Sequence, residues 1–180
     1  MAKAIFPDIK PSFERPILNL DVKKEKRVIF HAGFGGSSDG NLSLEDYLNL
    51  ARSIKDSGYE IVFSFGPDDV KSKEFIESNL DFQAVIYDSK GTLLEFTKFI
   101  ASGALFVSTS TGPMHLAGAT NTRTLSFFGD SLFASSKRWA TISDESLQNN
   151  FMLSQNYSRE DYQKIENRLK EILDKEVKNA

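Results

Sequence analysis

Cysteine is absent from this 180-residue sequence, and histidine occurs only twice, at His31 and His115. The first absence excludes disulfides, thiolate catalysis and cysteine-built zinc or iron–sulfur sites. The second leaves too few imidazoles for a histidine-rich centre, so no metal is expected. No apolar run is long enough to cross a bilayer, and the opening "MAKAIFPDIKPSFERP" has no signal-peptide core. A cytoplasmic protein is the expectation, with membrane contact limited to the periphery. Charge of one sign is also lacking. A formal net charge of -3 creates no field to recruit nucleic acid, and none is expected as a partner.

What is present suits one globular domain: 40% hydrophobic and 26% charged residues in a chain long enough to bury a core. Residues 1–27 hold Pro7, Pro11, Pro16 and the charge run "KKEKR", which read as a linker-like lead-in. From residue 28 to 157 a strand–helix unit repeats. Apolar strands are expected at "RVIFHAG" (27–33), "YEIVFSFG" (59–66), "QAVIYDS" (83–89), "ALFVSTS" (104–110) and "TRTLSFFG" (122–129). Helices are expected between them, over 42–58, 68–79, 92–103 and 113–120. Such alternation predicts an α/β fold, a doubly wound, Rossmann-like parallel sheet of order 3-2-1-4-5. Residues 158–180 form a closing amphipathic helix packed on the domain, with Tyr162, Ile165, Leu169 and Ile172 on one stripe.

In such a sheet ligands bind at the carboxyl ends of the strands, where the strand order reverses. The reversal falls between the first and fourth strands, whose loops are "HAGFGGSSDGN" and "STSTGPMH". Both suit an anion. Gly33, Gly35 and Gly36 let backbone amides approach a ligand, and Ser37 adds a hydroxyl. Ser110, Thr111 and Gly112 precede a helix whose first turn carries free amides, with Pro113 at its start and His115 able to donate to phosphate. Plainer roles compete with these. "GFGG" lacks a full phosphate fingerprint, Ser110–Thr111 can be an ordinary N-cap, and Asp68–Asp69 read as a cap on the helix that follows. His31 reads as a partly buried, hydrogen-bonded side chain. Ser108 or Ser110 with His115 hints at a hydrolase, but no GxSxG elbow is present. Asp130 either turns the chain or reaches a base or ribose. Trp139 reads as core or lid, and Lys137 and Arg138 as solvated.

"STGPMHLAGA" between an apolar strand and "TLSFFGD" resembles the hallmark of glycosyltransferase family 9, the lipopolysaccharide heptosyltransferases, with Thr111, Gly112, Pro113, Met114 and His115 as its specific part. "VIFHAGFGGSS" is similar to the strand and glycine loop that open that family's C-terminal domain, and the likeness extends over about residues 17 to 130. The resemblance implies a two-domain GT-B architecture. Its C-terminal half binds a nucleotide-sugar donor, typically ADP-heptose. Its N-terminal half binds a glycolipid or saccharide acceptor and supplies the base. This chain resembles the C-terminal half of an inverting enzyme of lipopolysaccharide or surface-glycan synthesis at the cytoplasmic face of the inner membrane. It needs the other half for turnover and no cofactor beyond the donor. Met114 joins the donor-binding set on this resemblance alone.

Two departures stand out. Ser110 occupies the place of the family's aspartate, and "SDGNLSLEDY" has no lysine where many members carry one. A non-catalytic nucleotide-sugar-binding module is therefore the alternative. A dinucleotide-dependent oxidoreductase is disfavoured, because no acidic residue ends the second strand.

Overall fold

Short runs rich in β-branched and aromatic residues build the sheet. The computed structural model describes residues 15–33 and 40–178. In these, β1 (Arg27–His31), β2 (Glu60–Phe65), β3 (Val85–Asp88), β4 (Leu105–Thr109), β5 (Thr124–Gly129) and β6 (Gln148–Leu153) pair in parallel in the order β3-β2-β1-β4-β5-β6. The α/β, doubly wound, Rossmann-like sheet expected from the alternation is present, with the reversal between β1 and β4. Its helices are α1 (Leu44–Arg52), α2 (Val70–Asn79), α3 (Leu93–Ser102), α4 (Gly112–Ala119), α5 (Ser136–Trp139) and α6 (Arg159–Lys178). Among the described residues no helix is long and apolar enough to cross a membrane.

β6 is an addition to the expected sheet. Its opening Gln148-Asn149-Asn150 carries none of the residues that favour strands. The buried Asn149 amide donates to the Thr124 carbonyl at 2.9 Å, while its oxygen accepts from Arg168 Nε at 2.8 Å. One polar side chain thus ties the edge strand to both β5 and α6.

Each face of the sheet is covered separately. Val28, Phe30, Ile61, Phe63, Val107 and Phe127 meet α1, α2 and α6 on one face. Ile29, Val62 and Phe106 meet α3 and α4 on the other. All four stripe residues of α6 are buried in this domain's own core. On its surface the i,i+4 pairs Glu160–Lys164 at 2.9 Å and Glu166–Lys170 at 2.5 Å form, and Glu171 pairs with Arg168 at 2.9 Å.

The lead-in is fastened from Arg15 onward. Arg15 pairs with Asp144 at 3.1 Å, the Leu18 amide donates to the Ala119 carbonyl at 2.7 Å, and the Glu25 amide donates to the Ser102 carbonyl at 2.8 Å. The last two contacts lie at the last turns of α4 and α3, on the rim opposite the carboxyl ends of the strands.

Candidate functional site

The carboxyl rim is shaped by where the loops leave the strands. Gly33, just past β1, lies against the Asp69 side chain: a Cβ there would sit 2.4 Å from Asp69 Oδ2. Gly40 is tucked onto the far side of β4, where a Cβ would lie 2.1 Å from the Phe128 carbonyl group. Thr109 Oγ1 holds it, 2.7 Å from the Gly40 oxygen. The first glycine loop is therefore anchored on either side of β4. Gly35, Gly36 and Ser37 fall outside the described residues.

α4 begins at Gly112, one residue earlier than expected, which puts Pro113 second in the helix. Its missing N–H still removes nothing, because the first three helical amides have no intrahelical acceptor. The expectation of a side-chain cap does not hold. Thr111 is the N-cap, but its hydroxyl makes no cap bond and lies 3.4 Å from the Thr109 carbonyl instead. Thr111 is extended, at φ -138° and ψ 169°, and the first intrahelical bond runs from the His115 amide to its carbonyl at 3.3 Å. Gly112 is exposed and presents its amide at the positive end of the helix. Met114 is fully buried, backbone included, and lines none of the rim cavities.

Three cavities lie side by side along this rim. The largest, about 720 Å³, lies over β2 and β3 and is bounded by Phe65, Asp69, Lys73, Asp88 and Lys90. The middle one, about 320 Å³, is bounded by His31, Gly33, Asp69, Phe96 and the Thr111–Gly112–Pro113 turn. It shares Gly66, Pro67, Asp69 and Ser89 with the first. The third, about 330 Å³, has Ser110, Thr111, Gly112 and His115 on one wall and Phe133, Ala134 and Trp139 on the other. It shares Thr111 and Gly112 with the middle one, so the start of α4 stands between them.

The electrostatics change along this line. In the largest cavity Asp88 is held between Lys73 at 2.8 Å and Lys90 at 3.2 Å, which lowers its pKa and raises that of Lys73. In the middle cavity Asp69 does more than cap a helix. It makes no bond to an α2 amide; its Oδ2 accepts from the Gly66 amide at 2.8 Å and lies 3.9 Å from His31 Nε2. The end of β2 itself carries no acid, but Asp69 four residues on brings one into the cavity. Among the described residues no carboxylate or cation lines the third cavity.

His31 is buried, with Nδ1 3.1 Å from Ser64 Oγ and its ring 6.1 Å from that of Phe106. Burial pushes its pKa down, and the Asp69 carboxylate partly opposes this. Partial burial also lowers the pKa of His115, leaving it neutral near pH 7. Ser108 is fully buried beside His31 in the sheet and lines none of the three cavities, so it offers no nucleophile to them. Asp130 is exposed past the end of β5 and outside the lining of the three cavities. Asp69, Phe133 and the Lys73–Asp88–Lys90 cluster are the rim residues that sequence reasoning did not single out as a site.

The profile of glycosyltransferase family 9 (heptosyltransferase) matches residues 20–172. A Haemophilus influenzae protein carrying a provisional glycosyltransferase name is 35% identical over 130 residues, covering 70% of this chain and 37% of its own length. Among solved structures, E. coli heptosyltransferase WaaC with ADP superimposes with a TM-score of 0.68 at 17% identity, over 86% of this chain and 46% of its own. E. coli ADP-heptose lps heptosyltransferase II does so with a TM-score of 0.67 at 21% identity, over 87% and 49%. The chain thus spans less than half the length of each of these relatives.

Proposed function

This chain belongs to glycosyltransferase family 9, and from that premise we propose that it is the donor-binding half of an inverting glycosyltransferase of lipopolysaccharide or surface-glycan assembly. The observation that carries this is the row of cavities with the uncapped start of α4 between two of them. A nucleotide sugar is a rod of three parts, two bulky ends joined by a diphosphate. The diphosphate belongs at the middle, on the exposed Gly112 amide, where the helix end carries partial positive charge. The nucleoside fits the larger cavity, about 720 Å³, and the sugar the smaller, about 330 Å³. Asp69, at the junction of the middle and large cavities, is placed to accept from ribose hydroxyls, and His115 to donate toward a phosphate or sugar oxygen.

ADP-heptose is the donor we favour, since relatives with this fold are described with ADP and as ADP-heptose enzymes. The acceptor, a glycolipid or saccharide, and the base that deprotonates it are assigned to the half of the relatives that this chain does not span. The work would take place at the cytoplasmic face of the membrane. Calorimetry with ADP, UDP, GDP and their sugars tests the donor site directly. At least one pair should bind, and silence from all of them defeats the proposal. The neutral lining around Ser110 favours a second reading, a binding module without turnover. Nucleotide release that depends on added acceptor sugar would exclude that reading.

A further inference from the structure

The third cavity is walled by aromatic rings that are exposed yet fixed. Phe133 is 65% and Trp139 40% exposed. Trp139 Nε1–H donates to the Phe133 carbonyl at 2.8 Å, and the Arg138 guanidinium lies 4.3 Å from the Phe133 ring centroid and 5.2 Å from that of Trp139. Leu132 beside them is 77% exposed. A bare, preset apolar surface of this kind marks a binding surface, because the rings are ordered before any ligand arrives. Ser110, Thr111 and His115 line the same cavity and bring two hydroxyls and an imidazole to it. At about 330 Å³ the space is at the lower end for small-molecule sites, enough for a single ring system.

We propose that this cavity selects a neutral sugar on the donor, with Phe133 and Trp139 receiving the C–H face of the ring and Ser110, Thr111 and His115 meeting its hydroxyl edge. The inference rests on the donor orientation given above. A sugar ring has an apolar face of polarised C–H groups, which suits the negative face of an aromatic ring. Its hydroxyls both donate and accept, and a neutral imidazole, which partial burial favours at His115, also does both. A sugar carboxylate would enter a cavity with no cation in its lining among the described residues, and would lose hydration without a partner there. Arg138 does not supply one, being engaged on the ring faces and absent from the lining.

Trp139 is the only tryptophan in the chain, so its fluorescence reports on this cavity alone. The full chain is titrated with ADP and ADP-glucose, and with UDP, UDP-glucose and UDP-glucuronate. The expected result is an emission change with the nucleotide sugar that binds and none with its nucleoside diphosphate. By calorimetry Phe133→Ala and Trp139→Ala should weaken the nucleotide sugar about three- to tenfold while leaving the diphosphate within about twofold, and Trp139→Phe should restore most of the loss. UDP-glucose should bind more tightly than UDP-glucuronate. Equal emission changes and equal losses for sugar and diphosphate would show that the cavity holds the nucleoside and overturn the inference while leaving the donor site intact. UDP-glucuronate binding as tightly as UDP-glucose would overturn the neutral selectivity. No binding by any nucleotide would defeat both this inference and the donor-site reading.

Discussion

His31 lies in an apolar strand, and the sheet closes over it, so its protonation has a consequence for stability. Its folded pKa is below the ordinary 6.5 because burial disfavours the cation. The unfolded chain, with the ordinary value, therefore takes up the proton first. The stability contributed by neutral His31 is full above about pH 6.5 and is lost as pH falls toward the folded pKa. His115 shifts in the same direction. Thermal unfolding between pH 7.5 and 5 should show stability falling toward acid, and His31→Gln should flatten that fall more than His115→Gln. An identical slope in His31→Gln would disprove the assignment. Gly40 sets a steric limit, because a Cβ there would press on backbone rather than on a side chain that can turn away. Gly40→Ala should cost about 1–3 kcal/mol by denaturant titration. At this scale the sequence disclosed part of the site. Thr111, Gly112 and His115 were visible because a Gly-Pro pair after an apolar strand has few structural meanings. Asp69 was not, since its side chain turns away from its own helix toward Gly66 and Gly33, a direction that only the meeting of β1 and β2 creates.

α4 shows the same mixture at the level of an element. Its small residues permit close packing, and at Gly118 a Cβ would lie 2.4 Å from Thr141 Cβ. Gly118→Ala should lower stability by about 1–3 kcal/mol and, by lifting the helix, weaken nucleotide binding measured by calorimetry. Unchanged affinity in a folded Gly118→Ala protein would mean that the seating of α4 does not set the site. α6 was legible from its apolar stripe, and Leu169→Ala should cost about 2–5 kcal/mol because the side chain is fully buried. β6 and α5 were not legible. Residues 130–150 hold neither alternation nor helical periodicity, and what organises them is contact: Asn149 with β5 and α6, and Arg138 with two rings. Short elements of this kind are specified by their neighbours more than by their own residues.

For the molecule as a whole, parallel pairing sends every strand's carboxyl end to one rim, so three cavities meet there without a dedicated binding domain. A ligand that spans them should stabilise the fold. At a hundredfold excess over its Kd, a bound nucleotide should add about 2.7 kcal/mol. For a chain of this size that is a rise in Tm of about 5–10 °C, readable by thermal shift. No rise with any nucleotide would count against the donor site. The opposite rim has its own importance. Leu18 is tied to the last turn of α4, whose first turn stands between the two smaller cavities. Eight residues at 1.5 Å each separate these ends by about 12 Å of stiff rod. A shift of the Leu18 attachment at one end of this rod is thus carried to the cavity mouths at its other end, so the two rims of the sheet are mechanically joined through α4.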